Sequence, residues 1–218
     1  LLTEGDTIVD SGNTFYKETL ERVAKAREQG LNFIDVGVSG GTERARTGAT
    51  LMVGGPKEVV TRLEPIFLDL AQEGGYGYMG ESGAGHFVKM VHNGIEYGMM
   101  QAIGEGMQAI DEAKTQFGTD LGTVLRVYNH GSIVESSLVA WSLRAWEKDP
   151  GLSEIEGSVP TGDTEAEMES LNEMAHMPAL DVALTERKKS REHPSLSGKF
   201  VAAMRNEFGS HPVNKKQS

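Results

Sequence analysis

Apolar and polar positions in the first eighty residues alternate between strand-like and helix-like spacing. Thr7–Asp10 reads as a short strand, and Ser11–Thr14 as a turn with a helix cap. Tyr16 to Gln29 is a polar, amphipathic helix stopped by Gly30. Leu31 to Val38 (LNFIDVGV) is a mainly apolar strand, the pattern of a sheet covered on both faces. Thr50–Val53 is the next strand and ends at Gly54-Gly55; Pro56 then opens a helix through about Ala71. Tyr76–Met79 makes a last short strand. This strand–helix–strand order predicts βαβ units and a parallel sheet.

From Gly83 onward the pattern predicts helices alone. The first runs to about Lys114, followed by Asp120–Tyr128 and Ile133–Lys148, with Pro150-Gly151 as a break. Thr161–Asp163 punctuates the chain before helices at Glu165–Ala175, Ala179–Glu192 and Leu196–Phe208. The tail HPVNKKQS is expected to be extended or disordered. The organisation is thus an α/β segment over residues 1–81, a helical domain over 82–195, and a closing helix and tail over 196–218.

Composition narrows the function classes. At 218 residues the chain can bury a sizeable core, and 24% charged with 38% hydrophobic residues describes a globular protein. No apolar run approaches the roughly 18 residues needed to cross a bilayer, so no membrane partner is expected. A net charge of −11 argues against nucleic acid, which needs a basic excess. The absence of cysteine excludes disulfides and thiolate zinc sites and fits a reducing, cytoplasmic setting.

The predicted helix after Gly83 carries the densest chemistry. On a helix, Lys89, Asn93 and Glu96 share one stripe, with Lys89 and Glu96 about 10 Å apart along the axis. Spacing alone leaves two readings: a solvated face, or an acid and a base reaching the two ends of one small substrate. Gly83, Gly85, Gly94, Gly98, Gly104 and Gly106 each cost about 1 kcal/mol of helix propensity relative to alanine. Close approach of a backbone or a ligand would explain them. His92 and Glu96 also have i,i+4 metal-ligand spacing, but no third ligand is evident and no metal is expected. Ser39-Gly40-Gly41 follows a strand end, either as a tight turn or as a ligand-binding loop. Asn13 follows another strand, where helix capping alone would account for it.

KMVHNGIEYG, with DSGN at Asp10–Asn13, GVSGG at Gly37–Gly41 and GKFVAAMRNEFGSH near the end, resembles the 6-phosphogluconate dehydrogenases. The resemblance implies an α/β remnant of a Rossmann-type dinucleotide-binding domain followed by an all-α domain. Residues 1–81 would be the C-terminal part of the NAD- or NADP-binding domain. No glycine-rich G-x-G-x-x-G phosphate turn is expected ahead of a helix, so the front of that domain would be missing and activity impaired.

The resemblance further implies Lys89 as catalytic base and Glu96 as catalytic acid. It implies substrate contacts from Asn13, Ser39, Gly40, Gly41, His92, Asn93, Tyr97, Arg187, Arg205 and His211, with Asn13 also touching the cofactor. Arg205 and His211 would reach into the neighbouring subunit of a homodimer, and the substrate would be a sugar-acid phosphate. The alternatives are another beta-hydroxyacid dehydrogenase and a non-catalytic dimerisation module. One segment departs from the family pattern. PTGDTEAEMES places Thr164 and Ala166 about where the resemblance implies a basic residue and a threonine for phosphate.

Overall fold

The structure, a computed structural model, describes residues 2–162 and 164–216. Asp163, expected in a break between helices, and the last two tail residues lie outside the described residues. The chain divides into two compact units, Leu1–Asn93 and Gly94–Ser218.

The first unit runs β1 (Thr7–Asp10), α1 (Tyr16–Glu28), β2 (Asn32–Ser39), α2 (Gly41–Thr47), β3 (Ala49–Gly54), α3 (Lys57–Leu70) and β4 (Ala71–Gly80). The opening turns of α4 (Ala84–Glu112) complete it. The strands lie side by side in chain order. β1 pairs with β2 and β3 with β4 in parallel, as expected, but β2 and β3 are antiparallel. The sheet is therefore mixed. The connection lengths explain this. The first and third crossovers each hold a helix of 13 or 14 residues, whereas β2 and β3 are joined by little more than the seven-residue α2. A parallel crossover needs about a dozen residues or more.

Two local expectations change. α2 was not predicted; each of its residues is exposed, so it leaves no apolar stripe to read. β4 begins at Ala71, well before Tyr76. Gly75-Tyr-Gly77-Tyr-Met-Gly80 does match the letters of a dinucleotide-binding turn, but it lies inside β4, where Tyr76 and Gly77 pair with Leu51 and Met52. Its backbone is committed to the sheet. Ile34, Val36, Val53, Val60 and Phe67 form the core between the sheet and its helices.

The second unit contains the rest of α4, then α5 (Lys114–Phe117), α6 (Leu121–Tyr128), α7 (Ser137–Lys148), α8 (Glu165–Met174), α9 (Pro178–Lys189) and α10 (Leu196–Gly209). Local caps set several starts. Ser136 accepts the Val139 amide at 3.3 Å, so α7 starts after Ser136 rather than at the exposed Ile133. Asp120 and Ser195 cap α6 and α10 in the same way. Leu125, Met168, Leu171, Leu180, Phe200 and Met204 form the core. The tail is extended and paired: the Glu156 amide donates to Asn214, and Lys216 to Glu154. Among the described residues no helix is long and apolar enough to cross a membrane.

Candidate active site

In the first unit the sheet holds the start of α4 by direct backbone contact. Asp35, fully buried in β2, accepts the amides of Gly83 at 2.7 Å and His86 at 2.9 Å. It thus satisfies orphan donors at the helix N-terminus from a distant strand. A Cβ on Gly85 would stand 2.4 Å from the Met52 carbonyl and 2.5 Å from that of Asp35, so only glycine fits. A Cβ on Gly37 would lie 2.4 Å from Lys89 Cβ. Gly37 therefore makes room for the lysine stem against β2.

Lys89 Nζ donates to Asn93 Oδ1 at 2.6 Å and lies 3.2 Å from His92 Nδ1. His92 Nε2 is 3.0 Å from Ser39 Oγ. Ser39, His92, Lys89 and Asn93 thus form one linked cluster. Burial pushes the His92 pKa down, the Lys89 charge adds to this, and the Asn93 hydrogen bond partly offsets both. The imidazole is accordingly neutral near pH 7. With Lys89 charged, Nδ1 accepts from it, and Nε2–H donates to Ser39.

The neighbouring loops are shaped for access. Gly40 and Gly41 have φ of 119° and 66°, a reversal that L side chains rarely adopt. Asn13 is exposed in the loop after β1. Asp10 organises that loop by accepting the Gly12 amide at 3.0 Å and an Arg22 guanidinium bond at 2.9 Å. Those contacts hold the Asp10 pKa below its usual value, although burial opposes the shift and is the largest single influence. Because β1 and β2 are parallel, Asn13 and Ser39–Gly41 both stand at carboxyl ends of strands, where α/β folds hold ligands.

In the second unit, Tyr97 is 7% exposed and its hydroxyl is 2.8 Å from Thr164 Oγ1. Arg187 is 3% exposed and stacks its guanidinium 3.7 Å from the Tyr97 ring centroid. Its Nη1 is buried without a hydrogen-bond partner among the described residues. Arg205 is 6% exposed and donates from Nη1 to the Pro160 carbonyl at 3.0 Å. Burial pushes the Arg187 pKa down against the opposing influence of Tyr97, Glu165 and Glu96. Burial, then the Arg187 charge, push Arg205 down to about 10. Glu96 is half-buried. His211 is exposed and meets Phe208 edge-on at 5.5 Å.

The divergent 160–170 segment has a definite structure. Thr164 bonds Tyr97, and the buried Glu165 is ion-paired with Arg191. Sequence reasoning passed over Asp35, Glu165 and Arg191. An aspartate inside an apolar strand is the signal that would have found Asp35, because a buried carboxylate needs partners. The glycines of α4 divide. Gly85 and Gly104 meet backbone at close range, whereas a Cβ on Gly106 would meet nothing within 4 Å.

Residues 1–80 match the NAD binding domain of 6-phosphogluconate dehydrogenase, and residues 85–145 match the C-terminal domain of the same enzyme. Over 218 residues the chain is 45% identical to YqeC of Bacillus subtilis, a protein named only provisionally as a 6-phosphogluconate dehydrogenase. That match covers 99% of this chain and 73% of the relative. It is 36% identical over 216 residues to a Haloferax volcanii protein named NAD(+)-dependent, decarboxylating 6-phosphogluconate dehydrogenase, covering 97% of this chain and 70% of the relative. Plasmodium falciparum 6-phosphogluconate dehydrogenase, solved in its apo form and with NADP+ or 6-phosphogluconate, matches with a TM-score of 0.75 at 29% identity. The match covers 88% of this chain and 44% of that one. With the α/β unit, the helical unit and the lysine-centred cluster in place, the chain belongs to the 6-phosphogluconate dehydrogenase family of NAD(P)-dependent oxidoreductases.

Proposed function

We propose that this chain serves the oxidative decarboxylation of 6-phosphogluconate to ribulose 5-phosphate, a pentose phosphate pathway step, with NAD or NADP as oxidant. The observation that carries the reading is the Lys89 ammonium set between His92 and Asn93, with Ser39 on the far side of the imidazole. Bound NAD(P)+ supplies a hydride acceptor. Asn13 would hold its nicotinamide end: the Gly12 amide donates to Asp10 Oδ1 at 3.0 Å, so the loop is held while Asn13 stays exposed.

In its neutral form Lys89 Nζ takes the proton of the substrate hydroxyl β to the carboxylate as the carbinol hydride departs. The resulting ammonium returns that proton to the new carbonyl oxygen. This draws electrons from the breaking carbon–carboxylate bond, so carbon dioxide leaves and an enediol remains. Glu96, as the carboxylic acid, protonates the enediol carbon and gives the ketose. Neutral His92 orients Lys89 and keeps a second positive charge away from it. Ser39, Gly40 and Gly41 would receive the substrate carboxylate, and Asn93 and Tyr97 its hydroxyls. Arg187, Arg205 and His211 would take the phosphate.

We take the working form to be a cytoplasmic homodimer. The exposed apolar residues Ile95 and Met99, four apart on α4, support self-association. A second reading, another beta-hydroxyacid dehydrogenase, is favoured by Thr164 standing about where a basic residue is implied and Ala166 about where a threonine is. In the full-length protein, Lys89→Ala should lower kcat with 6-phosphogluconate by roughly 10²–10⁴. Turnover of unphosphorylated 3-hydroxy acids but not of 6-phosphogluconate would favour the second reading. Absence of turnover with either cofactor in the wild type would end the first.

A further inference from the structure

We propose that His86 is a positioning residue: its buried imidazole ties the helix turn that carries Lys89 to the start of α1, and so fixes the nicotinamide loop at Asn13 against the base. The inference rests on the reading above that Lys89 takes the hydroxyl proton and that Asn13 holds the nicotinamide end.

His86 lies one turn ahead of Lys89 on α4 and is 2% exposed. It is bonded at both ends. Its amide donates to Asp35 Oδ2 of β2 at 2.9 Å, and its Nδ1 stands 2.7 Å from Oγ1 of Thr19, a fully buried residue of α1. Thr19 in turn sends its amide to the Phe15 carbonyl at 3.1 Å and its hydroxyl to the same oxygen at 3.4 Å. Phe15 is two residues from Asn13. Packing follows the same line. Phe87 meets Tyr16 edge-on at 5.4 Å, and a Cβ on Gly83 would stand 2.9 Å from Leu20 Cδ2. Asp10, which accepts the Gly12 amide ahead of Asn13, lies within electrostatic reach of the imidazole.

The second ring nitrogen identifies the working one. His86 Nε2 is buried with no hydrogen-bond partner among the described residues. Were Thr19 to donate to Nδ1, Nε2 would carry a proton with nothing to receive it, a costly arrangement in a buried site. With the proton on Nδ1, the imidazole donates to Thr19, Thr19 donates to Phe15, and only a lone pair is idle. The chain of bonds therefore runs from α4 through α1 to the loop, and it passes through Nδ1 alone. Hydride transfer depends on it because the loop holds the acceptor and the helix holds the base. A misplacement of about 1 Å between them costs about 10²-fold.

Kinetics of the full-length protein test this. An asparagine side chain carries its NH2 near the Nδ1 position, whereas a glutamine reaches toward Nε2. His86→Asn should therefore keep kcat within about threefold of wild type. His86→Gln, His86→Leu and Thr19→Val should each lower it by about 10–100-fold, with the KM values for 6-phosphogluconate and cofactor little changed. In these slow variants the primary isotope effect from substrate deuterated at the reacting carbinol should rise, because hydride transfer becomes rate-limiting. His86→Leu combined with Thr19→Val should lose no more than either alone. A folded His86→Leu with wild-type kcat and only a lowered Tm overturns the inference while leaving Lys89 as the base. Equal kcat for His86→Asn and His86→Gln overturns it too. Should His86→Leu or Thr19→Val fail to fold by circular dichroism, the contrast between His86→Asn and His86→Gln decides. Wild type that turns over 6-phosphogluconate with neither cofactor removes the functional reading and this inference with it.

Discussion

Replacing Asp35 by alanine removes the side chain that accepts both the Gly83 and the His86 amides at the head of α4. Both bonds are short and buried, and the acceptor is fully inaccessible. An unpaired buried donor costs about 1–3 kcal/mol, so two give about 2–6. Loss of the carboxylate beside a helix N-terminus adds about 0.3–1 kcal/mol. Relief from burying a charge offsets part of this. We expect a net loss of about 3 kcal/mol in the first unit, which for a unit of its size corresponds to about 12–24 °C in Tm.

Both tryptophans, Trp141 and Trp146, lie in the second unit, so their fluorescence would miss the effect. Thermal circular dichroism should be paired with hydrogen exchange over residues 83–93. Asp35→Asn should fall between wild type and Asp35→Ala, because its amide oxygen still accepts one bond while its NH2 opposes the other donor. Unchanged exchange in that segment, with a Tm loss under about 2 °C, would refute the account of how the sheet positions α4.

Three further outcomes follow from local geometry. Gly37→Ala places a Cβ 2.4 Å from Lys89 Cβ and 2.7 Å from the Gly85 carbonyl. It should lower urea stability by about 1–3 kcal/mol and depress kcat in the full-length protein. Gly104→Ala meets the Ser197 carbonyl and hydroxyl at 2.8 Å and should destabilise the second unit. Gly106→Ala, with nothing within 4 Å, should raise its stability by up to about 1 kcal/mol; tryptophan-detected urea curves separate the two. The His92 pKa lies below its ordinary value of 6.5 when folded, so acid protonates the unfolded chain first. Its contribution should be complete above that value and decline as pH falls below it towards the folded pKa. Urea midpoints at descending pH should show this decline, and His92→Gln should remove that part of it.

Strand and helix periods are properties of short stretches, and they were legible. β1 was expected where it lies, and the helices after Gly83 lie within a few residues of expectation, except for the start of α7 and the short α5, which was not expected. The adjacency of Lys89 and Asn93 was readable for the same reason, since i,i+4 contacts depend only on the chain being helical. Pairings between distant residues were not legible. The antiparallel β2–β3 ladder depended on connection length, which hydrophobic pattern does not report. Ser39 meets His92 across 53 positions, and Asp35 meets His86 across 51. No local spacing encodes such contacts, because they arise only when sheet and helix pack. The chain alone determined which chemical groups are present and the helix that presents Lys89. Folding decided what each group faces, since burial and charge act through space between residues that the sequence keeps apart.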